Sequence, residues 1–273
     1  MPVKKPLQQY PAFIFITIIL LFWTLKTNGN ILILNGLTHE HQTLQGEVTN
    51  GTIVLKNLSE VSQSVQLYQR DYWFSYNGEN RHDDPGTLPR SNAKWIKINP
   101  TFVTLKPNET ATIEYEITVP DIDTLSGTYW SVIMVEGLNP PDTTANNRGI
   151  KINTIIRYAV QIITNIGDTG VRNLSFEHFN LSRRDSVTEL SVALENKGQR
   201  ILRPELSLQV YDSNGASQGI IKAEKRRLYP GTSAMIVLDL SKLKVGSYKG
   251  LLIADCGDDY VFGSNLTLDI KDE

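Results

Sequence analysis

Cysteine is nearly absent from this sequence of 273 residues, because Cys256 is the only one. A single thiol cannot form a disulfide bridge within the chain, so the folded state must depend on packing and hydrogen bonding. We therefore expect the Cys256 side chain to be a small buried apolar group rather than a reactive nucleophile.

Residues and motifs that support catalysis are also scarce. The chain has four histidines, and it shows no Gly-x-Ser-x-Gly elbow, no phosphate-binding glycine loop and no dinucleotide fingerprint. His39 and His41 could share one side of an extended segment, but no third ligand follows at a spacing typical of a metal site. These absences predict a protein that is not an enzyme and that has neither a cofactor nor a metal.

Positive charge is in slight deficit, since 27 Lys and Arg residues stand against 29 Asp and Glu residues. A formal net charge of −2 lacks the basic surplus that nucleic-acid binding requires, so we expect no nucleic-acid partner. The densest basic run, Lys222–Arg227, is interpreted as a solvated strand edge or loop, and as an alternative it could steer an anionic partner.

The one long apolar run lies at the N-terminus. Lys4 and Lys5 precede an uncharged stretch from residue 12 to residue 25, and small or polar residues follow up to Gly29. This layout is typical of a signal peptide, and the run is shorter than the ~20 residues that span a bilayer. We expect residues 1–29 to be the leader of a periplasmic, secreted or cell-surface protein. The alternative is an uncleaved anchor, which would be its only contact with a membrane.

After the leader, apolar residues alternate with polar ones in short runs that Gly, Pro, Asn and Asp separate. This pattern predicts half-buried antiparallel strands and an all-β protein without helices. The predicted strands are 51–57, 64–74, 94–98, 102–105, 110–119, 128–136 and 150–164, then 174–179, 187–196, 205–211, 219–221, 234–240, 247–255 and 261–270. Seven strands in each half indicate two consecutive immunoglobulin-like β-sandwich domains, over residues 30–165 and 166–273.

Two polar segments of the first half interrupt this alternation. Residues 77–92 contain Asn-Gly and Asp-Pro-Gly turn signals, and residues 137–149 contain the pair Pro140 and Pro141. Both are predicted to be surface loops that connect strands and could contact a partner.

Several motifs of the first half, in this order, resemble the N-terminal domain of the PapD-like periplasmic pilus (fimbrial) chaperones. These motifs are the strand Thr52–Asn57, the segment Ile98–Phe102 followed by Leu105–Pro107, and the strand beginning Tyr129–Val132. A long alternating strand then closes the domain. The second half has a suitable length and strand number but no diagnostic motif.

The resemblance implies a way of binding a partner. In that family the last strand of the first domain donates itself to an incomplete pilus subunit, and alternate apolar residues fill the groove of the subunit. Here the corresponding stripe is Ile150, Ile152, Ile156 and Tyr158. The alternative interpretation is that these side chains face their own core.

The resemblance also implies two basic residues in the cleft between the domains that hold the C-terminal carboxylate of the subunit. Arg157 corresponds to the one on the last strand, because a guanidinium binds a carboxylate through two hydrogen bonds. The other position falls near His41. The sequence thus suggests an exported, chaperone-like protein that binds a pilin-like subunit or another envelope protein by β-strand addition along residues 150–162. The alternative is a structural or adhesive surface module that uses loops 77–92 and 137–149.

Overall fold

We describe the fold from a computed structural model of the chain. The structure describes residues 31–138, 155–184, 187–257 and 259–271, so the predicted leader lies outside the described residues. Within these ranges, none of the elements is a helix with the length and apolarity that a bilayer crossing needs.

The first sandwich contains ten strands. Four of them form the back sheet, in the order β1-β3-β8-β6, and the others form the rim sheet, in the order β2-β10-β9-β4-β5 with β7 beside β4. Their bounds are β1 Ile31–Ile33, β2 Thr38–Thr43, β3 Val48–Asn57, β4 Gln63–Phe74, β5 Asn80–Asp83, β6 Ile96–Asn99, β7 Phe102–Leu105, β8 Thr110–Thr118, β9 Gly127–Leu138 and β10 Arg157–Ile166.

The second sandwich contains seven strands. Three form a sheet in the order β11-β12-β15, and four form a sheet in the order β14-β13-β16-β17. Their bounds are β11 Leu174–Arg184, β12 Val187–Asn196, β13 Glu205–Tyr211, β14 Ser217–Lys222, β15 Ser233–Asp239, β16 Gly246–Asp255 and β17 Val261–Ile270. The all-β class with two immunoglobulin-like sandwiches is confirmed, and the only helical element of the described residues is a 3-10 turn at Ala93–Trp95.

Alternation along the strands builds the two cores. In β8 the side chains of Ile113, Tyr115 and Ile117 are buried, while Glu114 and Glu116 between them are exposed. One core contains buried apolar residues from Ile31 to Ile166 and the other contains them from Leu174 to Ile270. Each fully buried Ile or Leu side chain stabilises the fold by about 2 kcal/mol through removal of apolar surface from water.

An aromatic cluster joins the two sandwiches. The ring of Tyr229, from the second sandwich, stacks on Trp130 with 4.8 Å between the ring centroids. Phe74 meets the same ring edge-on at 6.2 Å. Ile163 and Ile201 pack against this cluster, and both are buried. The two sandwiches are therefore joined by a small apolar core of their own.

Hydrogen bonds across the junction add to these contacts. The Thr128 N–H donates to the carbonyl of Gln199 at 2.8 Å, and the Ile201 N–H donates to Thr128 Oγ1 at 2.9 Å. The Trp73 Nε1–H donates to the carbonyl of Gly231 at 2.8 Å. Backbone groups of both sandwiches take part, which favours a single relative orientation over a swinging linker.

Three strands of the first sandwich, β1, β2 and β5, were not predicted, and two of them lack aliphatic side chains. β2 has the sequence Thr-His-Glu-His-Gln-Thr, and β5 has the sequence Asn-Arg-His-Asp within the predicted loop 77–92. Neither contains an aliphatic residue, so alternation of apolar side chains could not reveal them. Backbone pairing with β10 and with β4 makes them strands. The prediction that residues 77–92 form only a loop is wrong for β5.

Candidate functional site

The candidate site is the first part of β10, where the edge of the rim sheet is uncovered. β9 pairs with β10 antiparallel along the whole length from Arg157 to Ile166. β2 pairs with the other flank in parallel, but only from Gln161 to Ile166. Among the described residues no strand lies on that flank of Arg157–Val160. We call this stretch of backbone the open rim.

The direction of the backbone groups along β10 follows from one hydrogen bond. The Gln161 N–H donates to the carbonyl of Leu37 at 2.9 Å, so it points toward the flank of β2. Peptide groups of a strand point alternately to its two flanks. The N–H and C=O groups of Arg157 and Ala159 therefore point toward the open flank, and those of Tyr158 and Val160 point toward β9.

Side chains at the open rim alternate between two faces. Val160 is fully buried in the core of the first sandwich, and Tyr158 packs partly against the same core. Arg157 is exposed on the outer face of the rim sheet. Two large apolar side chains precede it, Ile155 at 50% exposure and Ile156 at 37% exposure. The rim thus combines unpaired backbone groups with exposed apolar surface.

A polar network anchors Arg157 on this outer face. Its Nη2 donates to Glu136 Oε1 at 3.0 Å, and the Tyr68 hydroxyl donates to Glu136 Oε2 at 2.8 Å. The hydrogen bond from Arg157, followed by that from Tyr68, lowers the pKa of Glu136, and the bond with Glu136 raises the pKa of Arg157. Because 54% of the Arg157 side chain is exposed, further N–H donors of the guanidinium face solvent.

The extent of the predicted rim needs a correction at its C-terminal end. The prediction of an open edge as far as Ile162 is wrong, because β2 pairs with the strand from Gln161 onward. Ile162 is also fully buried in its own core. At the other end, Ile150 and Ile152 lie outside the described residues.

The resemblance implied that Arg157 lies in the cleft between the domains. In the structure it does not. β10 contacts the second sandwich further along the strand, for example at Gln161, whose Oε1 accepts a hydrogen bond from Arg227 Nη1 at 3.0 Å. Arg157 precedes Gln161 by four residues, about 13 Å along a strand that rises by ~3.3 Å per residue. The expected cleft position is therefore wrong, and a role of Arg157 in partner binding stays a prediction.

His41 faces the interior of the first sandwich rather than the rim. Its Nε2 is 2.9 Å from the hydroxyl of Tyr115, and His39 Nδ1 is 2.9 Å from the same oxygen. Burial, and then the proximity of His39, lowers the pKa of His41, so its imidazole gains a proton less readily than an exposed one. The backbone partner of His41 on β10 is Thr164, which lies seven residues from Arg157. The two predicted anchors therefore do not form one carboxylate site.

Sequence reasoning missed the residues that position Arg157. Glu136 and Tyr68 lie on β9 and β4, and they meet Arg157 only because these strands are neighbours in the rim sheet. A signal was present in β9, where Glu136 follows the apolar run Val132–Val135 on an otherwise buried strand. A carboxylate in such a place needs a cationic or hydroxyl partner.

The fold of this chain is similar to solved structures of fimbrial chaperones. CfaA, a class 5 fimbriae chaperone, aligns with a TM-score of 0.47 at 15% identity, over 89% of this chain and 100% of the other. A chain of the chaperone–tip adhesin complex of CFA/I fimbriae biogenesis aligns with a TM-score of 0.49 at 15% identity, over 86% and 98%. A chain of the CsuC–CsuE complex of Acinetobacter baumannii Csu pili aligns with a TM-score of 0.44 at 10% identity, over 89% and 100%.

The likeness that the sequence motifs show to the PapD-like fimbrial chaperones is thus also found by structure. It concerns the fold. No protein-family model matches the sequence, and no curated protein matches it either.

Proposed function

We propose that this protein binds an extended segment of another exported polypeptide, a pilin-like or other surface subunit, by adding it as a strand to the open rim. The observation that carries the proposal is the flank of β10 at Arg157 and Ala159. There, two residues present backbone groups that no described strand pairs, directly in line with β2. A guest strand on that flank would continue the rim sheet past the end of β2.

The described rim alone is too short for a tight complex. Four backbone groups that form hydrogen bonds at a net ~1 kcal/mol each contribute about 4 kcal/mol. A dissociation constant of 1 μM corresponds to about 8 kcal/mol, before the cost of ordering the guest. We therefore include Ile150, Ile152 and Ile156 in the proposal, as apolar residues that continue the contact toward the N-terminal side of β10. Burial of one such side chain adds up to about 2 kcal/mol.

Arg157 is assigned a second role in this proposal. Its hydrogen bond to Glu136 holds the guanidinium above the rim at 3.0 Å from the carboxylate oxygen. The donors that remain in solvent suit a carboxylate of the guest, which would be bound through parallel N–H···O bonds. Tyr68 supports the same arrangement from the neighbouring strand by its bond to Glu136.

The proposal is tested by purifying the full chain from its native envelope together with bound protein. We expect a small β-rich polypeptide to copurify with the wild-type chain and to be lost from the variants Ile156→Asp and Arg157→Ala. Val237→Asp is the matched control, because Val237 is 46% exposed on β15, an edge strand of the second sandwich. Equal recovery with all four chains would contradict the proposal.

Strand addition makes a further, residue-level prediction. Hydrogen exchange of the purified complex should slow at the amides of Arg157 and Ala159, which point to the open flank. The amides of Tyr158 and Val160 should change little, since they already face β9. If the bound partner slowed exchange at none of these four amides, binding would use side chains on the outer face of the rim sheet and not the backbone of the open rim.

A further inference from the structure

A groove of about 500 Å³ lies at the junction of the two sandwiches and contains no residue of β10. One wall belongs to the first sandwich and includes Leu88, Pro89 and Arg90. The other wall belongs to the second sandwich and includes the turn after Asn196 and the segment at Pro230. The groove is therefore separate from the open rim.

A buried carboxylate holds the first wall in place. Asp71 is fully buried, and its oxygens accept hydrogen bonds from the N–H groups of Gly86, Thr87 and Leu88 at 2.7–3.0 Å. The hydroxyl of Ser91 donates to the same carboxylate. Hydrogen bonds to a charged group are stronger than those between neutral groups, so this segment is preorganised although it lies between strands.

A buried amide holds the second wall in the same way. The Asn196 side chain donates to the carbonyls of Arg200 at 2.7 Å and Leu228 at 2.9 Å. Its oxygen accepts the Gly198 N–H at 2.9 Å, and its backbone carbonyl accepts the Gly231 N–H at 2.7 Å. Both walls are thus built before any ligand arrives, which lowers the entropic cost of binding.

Arg90 is the unbalanced charge of this groove. Its Nη1 donates to the carbonyl of Ser126 at 2.8 Å, and its guanidinium carbon lies 5.2 Å from the ring centroid of Tyr129. No carboxylate pairs with it anywhere in the described part of the chain. The other two cations of the lining, Arg81 and Lys197, are each paired with acidic side chains. Burial lowers the pKa of Arg90, as expected for a cation removed from water without a counter-ion.

The surface beside Arg90 is apolar. Trp130 forms part of it with its buried indole, and Trp73, Pro89 and Pro230 contribute further apolar surface. The groove lining also includes the carboxylate of Glu195, which lies 3.9 Å from Lys197 Nζ. A ligand that fits this lining combines a negative group with an apolar one. A planar guanidinium suits carboxylate geometry in particular.

We propose that the groove binds a carboxylate next to an apolar group, in an acidic segment of a polypeptide, and that Arg90 is its counter-ion. This site is independent of the strand-addition mechanism, because none of its residues belongs to the open rim. It would give the protein a second point of contact, on the junction of the two sandwiches.

Intrinsic fluorescence tests the proposal on the full chain, because Trp73 and Trp130 both line the groove. Three probes are titrated: acetyl-Asp-Phe-Asp-amide, its neutral counterpart acetyl-Asn-Phe-Asn-amide, and phenylacetate. We expect saturable binding of the acidic peptide and at least about tenfold weaker binding of the neutral peptide. Phenylacetate that binds as tightly as the acidic peptide would identify a free small carboxylate as the ligand and would overturn the peptide assignment.

Variants separate the site from general effects of charge. Arg90→Gln and Pro89→Glu should each weaken the acidic peptide at least about tenfold, and Pro89→Glu replaces an exposed residue whose side chain makes no hydrogen bond. Thr112→Glu, on the exposed face of β8, is the control for added negative charge and should bind like the wild type. Ile156→Asp, at the rim, should also leave peptide binding unchanged. Equal binding of the acidic and neutral peptides, or a lack of saturation by all three probes, would overturn the proposal.

Discussion

Removal of the Tyr229 ring is the sharpest test of the junction between the sandwiches. The side chain is 1% exposed, stacks on Trp130 at 4.8 Å and meets Phe74 at 6.2 Å. Truncation of a buried aromatic side chain to alanine costs about 3–5 kcal/mol, through lost burial and the cavity left behind. We expect Tyr229→Ala to lower the free energy of unfolding by that amount, and part of the loss to fall on the coupling between the sandwiches.

The distribution of tryptophan makes this coupling measurable. All tryptophans of the described residues, Trp73, Trp95 and Trp130, belong to the first sandwich, whereas far-UV circular dichroism reports on the strands of both. In a urea titration of the wild type, the two signals should change together. In Tyr229→Ala they should separate, because each sandwich then unfolds with less support from the other.

A matched variant removes only the polar part of the contact. Tyr229→Phe keeps the ring and loses the hydrogen bond from the hydroxyl to Gln161, so we expect a loss of about 1 kcal/mol and coincident transitions. If Tyr229→Ala were no more harmful than Tyr229→Phe, or if the wild-type signals were already separate, the idea of a coupled junction would be refuted.

Two further predictions concern polar groups of the first sandwich. Burial lowers the pKa of His39 and His41 in the folded state, so below about pH 6.5 the unfolded chain binds more protons and stability should fall. The urea midpoints of the wild type at pH 7.5 and pH 5 measure this loss of stability, and the difference between them should be smaller in His41→Gln. A wild-type midpoint that is the same at both pH values would contradict the prediction. Asp71→Asn should cost about 2–4 kcal/mol, because an amide nitrogen cannot accept the N–H groups that the carboxylate binds. Urea denaturation measures this loss, with Ser91→Ala as a milder control, and equal losses in both variants would speak against it.

Alternation of apolar and polar residues predicted most of the strands. The bounds of β7, β12, β13 and β17 agree with the prediction to the residue, because each alternates clearly and ends at a turn. β2 escaped prediction because all six of its side chains are polar. Its place in the sheet depends on backbone pairing with β10, which leaves no trace in a hydropathy pattern.

The site could be predicted only in part, for a related reason. Arg157 and the apolar residues before it were recognisable within one stretch of sequence. The end of the open rim could not be predicted, since β2, which covers the rest of β10, lies about 120 residues earlier in the chain. The groove at Arg90 was equally hidden, because its lining comes from residues between Trp73 and Gly231.

The parallel pairing of β2 with β10 has a consequence for the order in which the chain matures. Residues 38–43 leave the ribosome early, but their partners at residues 161–166 are made much later. In the interval the polar strand has no edge to join, and the back sheet can assemble from β3, β6 and β8 without it. The first sandwich therefore closes only when its last strand arrives, and such long-range pairing slows the search for the native state.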